Sequence, residues 1–555
     1  MRNSWLKETH GAAFELLRHF LARFFDSDLV TAPGQTAMTF IGTAVMFLTW
    51  FPFVTGPIKD KYVHFSALPS PLPYREAIRA DELWLIVMTM SIVGLLTAIK
   101  WQSLFPSLND YRAIGSLPVR AGQIFGAKLA ALLAVATGTV IVIDFAPCLG
   151  FPALSASPYA FDPSLGRRSW ALWLAATGAC YFLFFALVAI QGALLNLLRA
   201  GRFLRITGTL QGLLAGGMLI LVLTSFSIGP PVANRLVQPE VAKWLPPVWF
   251  LGVCETLSGN PDPAMRALAN RAWIGLVTAI VLVLAAYTLS YRRHRALLVE
   301  GVSARRTERP WRGALFDWVV PEPHQQAAAK FLAKGLAGTG PQRMLLMAYG
   351  GFGVAVLLTS GLAGPTAFFV HAHVILTTFL LIGIRHSFIV PVELKANWVF
   401  RIGEGEGRIE WLRAVDRCVL FGGAVLFAVP FPVEAWLLGW RALAEATLTA
   451  AFGLLAYEAL FASWDKLPFT CSYLPGKRPM WQNALRLMGL LVMFPLAITP
   501  FLAALDRWPL FTAVLVTMLA AWVRFRRARR NAWPALRLRY EDTPDPAIHG
   551  LNLLK

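Results

Sequence analysis

Chemistry in this chain would have to come from polar residues set inside long apolar runs. Asp144, Glu434 and Glu458 are three such residues. A charge near mid-bilayer costs roughly 2.5–3.5 kcal/mol on insertion scales, so an acid there needs a partner or a function. Asp144 and Glu434 stand near the ends of their runs, which predicts interfacial positions. Glu458 lies deeper and is the candidate buried polar residue, suited to a structural hydrogen bond, a charge partner or a proton site. His371 and His373 are two apart, so on a helix they point to different faces and make a poor metal pair. Gln191, Asn196 and Gln211 are expected to join helices by hydrogen bonds. Asp60, His64, Glu76 and Asp81 share one loop and form a weak cluster of the kind a membrane-embedded enzyme would need; a solvated loop is the simpler reading.

Other chemical signatures are missing from the sequence. Cys148, Cys180, Cys254, Cys418 and Cys471 are widely spaced, with neither a CxxC nor metal-ligand spacing. There is no GxxxxGK[ST], HExxH or GxSxG. The run from Gly122 to Lys128 has the wrong spacing for a phosphate loop, and the LPGK of Leu474–Lys477 lacks the upstream glycine. The expectation is a chain that holds no cofactor or metal and hydrolyses no nucleotide itself.

The elements that must position these residues are membrane helices. Of 555 residues, 56% are hydrophobic and 15% charged, and the mean hydropathy is +0.55. This composition excludes a soluble globular protein and disorder alike. Apolar runs near 20 residues long match a hydrocarbon core of about 30 Å, and 20 Trp with 38 Phe suit interfacial belts. The net charge of +20 falls mostly in alternate loops. That pattern signals orientation and contact with anionic membrane lipids rather than nucleic acid.

Spans are predicted at about 35–54, 82–99, 125–148, 169–197, 205–228 and 273–291, then 343–362, 366–388, 417–437, 442–464, 486–505 and 508–524. Basic loops after Lys100, after Arg199 and from Arg292 to Arg312 mark the cytoplasmic side, as do Arg385–Arg413, Lys466–Arg478 and Arg524–Arg539. The fold class is therefore an all-α polytopic membrane protein of about twelve helices in two six-helix halves, with both termini cytoplasmic. Residues 1–300 form the first half and 301–342 a cytoplasmic connector; 343–555 form the second half. The start, MRNSWLKETH, is too polar for a cleavable signal peptide.

Outside the spans, five segments have the patterning of folded structure. Residues 5–29 carry Leu17, Phe20, Leu21, Phe24 and Phe25 at helical spacing, opposite Lys7, Glu15, Arg18, Arg23 and Asp26; this reads as a helix lying in the interface. Lys100–Lys128 is a polar inner loop with its own apolar residues, in which Asn109 or Asp110 can cap one short helix and Pro118 can open another. The outer segment 229–272 contains LPPVWFLGVCETLSG, too short to span, which predicts half-helices entering the outer leaflet. The stretch PEPHQQAAAKFLAKGLAG in the connector predicts a second surface helix, and Arg385–Arg417 occupies in the second half the place of Lys100–Lys128 in the first.

This layout resembles type-2 ABC exporter permeases. The stretch SLNDYRAIGSLPVRAGQIFGAKLA, from Ser107 to Ala130, is similar to that family's inner-loop pattern of an acidic residue, a Leu-Pro pair and a Lys entering span three: here Asp110, Leu117, Pro118 and Lys128. LPPVWFLGVCETLSG is similar to its segment before span six, where Pro246, Pro247, Trp249 and Glu255 form the outer half-helix loop. The resemblance covers about residues 1–291, and the second half matches by layout alone. It implies a transport subunit, not an enzyme, in a bacterial inner membrane, driven by a separate ABC ATPase that carries the ATP. Docking would fall on Asp110, Tyr111, Arg112, Leu117, Pro118, Arg120 and Lys128. By position, Glu393, Lys395, Asn397 and Trp398 would form a second dock. Two docks in one chain imply two ATPase copies per permease, with a homodimer of this chain as the alternative. The rival functions are a secondary, ion-coupled twelve-span transporter and a lipid-linked transferase.

Overall fold

The structure is a computed structural model that describes residues 14–21, 58–105, 121–198, 200–299, 320, 322–338, 340–361, 365–392, 394, 397–428, 431–461, 464–471 and 507–541. Among them there is no strand. The predicted spans at 35–54 and 486–505 lie outside the described residues. The chain forms two compact units, Met1–Arg305 and Arg306–Lys555.

The first unit contains α1 (residues 14–21), α2 (58–66), α3 (Leu72–Ile99), α4 (Ala121–Leu154), α5 (Leu165–Leu197), α6 (Ala200–Ser225), three short helices α7 (Pro230–Leu236), α8 (Pro239–Ala242) and α9 (Pro246–Leu257), and α10 (Pro263–Val299). Five of these helices, α3, α4, α5, α6 and α10, are long and apolar enough to cross a membrane. α5 is the hub, packed against α3, α4, α9 and α10. Its buried face is built from small residues, Ala175, Ala176, Gly178, Ala179 and Cys180, which let neighbouring backbones approach. Gly192 shows how closely: a Cβ there would lie 2.5 Å from Ala286 Cβ on α10. The outward faces are apolar too. Ile274, Val277, Val281 and Leu284 of α10 are all exposed, the pattern of a helix whose solvent is lipid.

Proline punctuates the short helices. Pro246 and Pro247 open α9 behind an extended Leu245, where a missing N–H costs nothing. Val248, Phe250, Leu251, Val253 and Cys254 bury α9 on all sides, in a core shared with Tyr62, Tyr74, Phe151 and Met265. At the other end of the unit, Leu16 and Phe20 of α1 pack on Ile124, Ala127 and Ala131 of α4. The described part of the helix expected over 5–29 thus rests its apolar side on the start of a long apolar helix, and residues 5–13 and 22–29 lie outside the described residues.

The second unit contains α11 (Pro323–Gly338), α12 (Gly340–Gly361), α13 (Pro365–Ser387), α14 (Asn397–Ala428), α15 (Phe431–Leu438), α16 (Trp440–Phe461) and α17 (Trp508–Ala532). α16 and the stretch beginning with α17 complete the seven membrane-length apolar helices among the described residues, while α12 and α13 carry shorter apolar stretches. α12 pairs with α13, α13 and α17 both pack on α16, and α11 lies on α14. The connector helix therefore belongs with the second unit. The predicted span 417–437 does not form one apolar helix: α14 starts twenty residues earlier with a charged half, and α15 is separate, with Pro432 in its first turn.

Candidate functional site

In the second unit, buried charged side chains gather in two groups toward opposite ends of α16. Their anchors on that helix, Glu445 and Glu458, are 13 residues apart, about 20 Å along its axis.

Near the C-terminal end of α16, Arg529 of α17 reaches between two acids. Its Nη2 donates to Asp416 Oδ1 and Oδ2 of α14 at 2.8 and 3.0 Å and to Glu458 Oε1 at 3.2 Å. Its Nε lies 2.6 Å from Glu458 Oε2. The Tyr457 hydroxyl donates to Asp416 Oδ1, and the guanidinium stands over the Tyr457 ring. Glu458, the residue singled out from sequence, is thus a charge partner in a buried network. Beside it, Arg413 and Arg417 of α14 and Arg526 and Arg530 of α17 line a cleft of about 450 Å³ with Asp416 and Leu420. Since Asp416 is paired with Arg529, the cleft is strongly positive, and its guanidinium forks suit phosphate or carboxylate.

Toward the N-terminal end of α16, His373 of α13, Glu434 of α15 and Glu445 converge. All three are buried, 3%, 1% and 1% exposed. His373 Nδ1 lies 2.6 Å from Glu434 Oε2 and 3.9 Å from Glu445 Oε1. The 2.6 Å approach is out of line for a hydrogen bond, and neither ring nitrogen nor any of the four carboxylate oxygens has a hydrogen-bond partner. The imidazole stacks on Phe427 at 4.6 Å and 4°. His371 and His373 do not act as a pair here; the partners of His373 are carboxylates from two other helices. Glu434, expected in the interface, is instead enclosed by protein. Sequence reasoning missed this group because its members are 61 and 11 residues apart. The one available signal was acids recurring at 434 and 445 beside the predicted turn between two apolar runs.

In the first unit, polar residues act mainly as fasteners. Arg79 of α3 grips Glu255 of α9 through Nε and Nη2 at 2.7 and 3.1 Å, and Asn260 Nδ2 donates to the same carboxylate. Trp249 Nε1 donates to the Ala242 carbonyl at 2.9 Å. Asp144, expected in the interface, is fully buried, accepting from Thr177 Oγ1 at 3.3 Å, while its Oδ1 has no partner. Gln211 Nε2 donates to the last carbonyls of α3, Ala98 and Ile99, each at 3.1 Å. Gln191 Nε2 donates to the Trp101 carbonyl at 2.7 Å, and Asn196 Nδ2 to Ser290 Oγ at 3.0 Å. These amides link helices as expected and satisfy helix-end carbonyls.

The weak acid and histidine cluster does not converge on a site. Asp81 accepts from Lys61 at 2.8 Å and from Tyr62 at 2.8 Å, whereas Asp60 and His64 are exposed. Burial, reinforced by Asp81, holds the Tyr62 phenol well above its ordinary value.

Of the sequence-predicted docking residues, Asp110, Tyr111, Arg112, Leu117, Pro118, Arg120, Glu393 and Lys395 lie outside the described residues. Lys128 is 4% exposed, with its ammonium 5.0 Å from the Phe20 ring centre. Asn397 is buried at the start of α14, donating to the Thr470 and Glu541 carbonyls at 2.7 and 2.9 Å, and Trp398 beside it is exposed. Lys466, in the loop after α16, donates to the Cys471 carbonyl, and burial lowers its ammonium pKa to about 8.

No protein-family model, curated protein or solved structure matches this chain.

Proposed function

We propose that this chain is the membrane subunit of an ATP-driven exporter of the type-2 ABC kind, with about twelve spans in two halves and both termini cytoplasmic in a bacterial inner membrane. A separate ATPase, in two copies, docks on its inner loops at Asp110–Lys128 and Val392–Arg413 and supplies the energy. The observation that carries this reading is α9. It is a proline-opened helix of 12 residues, too short to span, buried between α3, α5 and α10 and clamped by Arg79–Glu255. A short helix held this firmly just before a long apolar one suits a gate or lining at the outer end of a pathway. The packing of α1 on α4 supports the same reading.

Purification of the tagged chain from its native membranes in mild detergent, with mass spectrometry of what stays bound, tests it. A stoichiometric partner with a nucleotide-binding motif, lost when Asp110–Lys128 is altered, is expected. A chain that purifies alone, with no ATP hydrolysis stimulated in the enriched membranes, overturns it.

A second reading, ion-coupled transport, is favoured by one observation. Asp144, Glu434 and Glu445 are buried acids with unpartnered carboxylate oxygens, the kind of group a proton or cation relay uses. Collapse of transport on adding a proton uncoupler, with ATP still present, would select it.

A further inference from the structure

We propose that His373, Glu434 and Glu445 form a binding site for a divalent transition-metal cation, with zinc the best match. The first argument is charge. Two carboxylates and one imidazole are enclosed by the protein, each at most 3% exposed. With both acids ionised, a protonated imidazole balances only one of them, so in this apolar surround the second must either take up a proton or meet a further cation. A dication with a neutral imidazole brings the group to zero.

The second argument is unmet bonding. Six buried donor or acceptor atoms, both ring nitrogens and all four carboxylate oxygens, have no hydrogen-bond partner. Buried polar atoms are nearly always satisfied, and three of these six, His373 Nδ1 with Glu434 Oε2 and Glu445 Oε1, lie close enough together to share one ligand. A proton shared between the acids would engage only two of the oxygens.

The third argument is geometry. One ligand atom from each residue can be chosen so that all lie within 4.8 Å of one another. Zinc bonds of about 2.0–2.2 Å in a tetrahedral set put donors about 3.4 Å apart. The observed 2.6 Å and 3.9 Å from His373 Nδ1 bracket that spacing, so modest side-chain rotations close the set. The ligands come from α13, α15 and α16, and the stacking on Phe427 already orients the imidazole. Imidazole with carboxylates suits zinc, or manganese and ferrous iron, over copper(I), which prefers sulfur, and over magnesium or calcium, which prefer oxygen alone. Three protein ligands leave a fourth position for water or another group. The metal would tie three helices together at one end of the second unit. It follows from this unit alone, whichever way transport is driven.

The test uses the full chain purified in detergent, stripped with a chelator, then titrated with zinc chloride and passed through gel filtration before elemental analysis. Stoichiometric retained zinc is expected. Glu445→Gln, which keeps shape and removes charge, and His373→Ala should each weaken retention at least about 10-fold, the loss that even outer-shell partners cause. Cobalt(II) loaded in place of zinc should give visible d–d absorption that His373→Ala abolishes. Stripped wild-type chain that retains no zinc, or zinc retained equally by both variants, overturns the proposal. Should both variants aggregate, the cobalt spectrum of the wild-type chain decides alone, and its absence is equally fatal.

Discussion

Arg529 on α17 donates to Glu458 on α16 at 3.2 Å while the same Nη2 holds both oxygens of Asp416 on α14. One cation thus fastens the C-terminal ends of α16 and α17 to the middle of α14. Its side chain is 10% exposed, and those of the two acids 5% and 1%. Water therefore does little to replace a lost partner.

Removing Arg529 should cost far more than neutralising the whole network. Arg529→Met leaves two buried acids unbalanced, a loss of about 3–5 kcal/mol for a broken buried pair. Adding Asp416→Asn and Glu458→Gln should recover much of it, because residues in one network are not additive. Apparent melting in detergent, followed by loss of the monodisperse elution peak, checks this. Equal destabilisation by the single and triple variants would show that the pairing contributes little.

The clamp on α9 should control access to Cys254. That thiol is fully buried, and Arg79 holds the adjacent Glu255 at 2.7 Å. In a variant whose other cysteines are replaced, a membrane-impermeant maleimide should leave Cys254 unlabelled. Glu255→Ala should release α9 and raise labelling. Labelling unchanged by Glu255→Ala would mean that apolar packing alone seats the helix.

Glycine substitutions should separate tight from open helix contacts. A Cβ at Gly252 would lie 2.6 Å from Leu268 Cβ and 2.7 Å from the Met265 carbonyl oxygen, whereas one at Gly217 meets nothing within 4 Å. Gly252→Ala should destabilise by about 1–3 kcal/mol through overpacking of α9 on α10. Gly217→Ala should be neutral or stabilising by up to about 1 kcal/mol, since alanine favours a helix interior. Paired thermal scans in one detergent measure both, and matching shifts would argue against the close approach of α9 and α10.

Lys466 should leave a mark on the pH dependence of stability. Its pKa is lowered from 10.5 to about 8 by burial. Between these values the unfolded chain binds the proton and the folded chain does not, so stability rises with pH through this window. Below about pH 8 the cost of the buried charge is fully present. Lys466→Met removes this dependence. The wild-type chain should therefore gain apparent melting temperature relative to the variant as pH rises from 8 to 10.5. A difference that stays flat would mean that the ammonium is as well solvated folded as unfolded.

Much of the architecture is written locally. Runs of apolar residues fix α3, α4, α5, α6, α10, α16 and α17 as membrane-length helices, because a backbone in lipid must satisfy its own hydrogen bonds. Prolines at 230, 239 and 246 mark the starts of the short helices, since a proline at the first turn removes no needed donor. The amides of Gln191, Asn196 and Gln211 announce helix contacts because in an apolar run they have no other use. What the linear order could not convey is which distant polar residues meet. Glu458 was conspicuous, yet its partner Arg529 is 71 residues away in what reads as an ordinary basic tail. Asp144 and Glu434 looked interfacial because sequence gives position along a helix and not the face that neighbours cover. His373 acquires meaning only when α15 and α16 fold back against α13 and bring Glu434 and Glu445 to its ring. Burial and convergence belong to packing between helices, and there only the tertiary structure could decide.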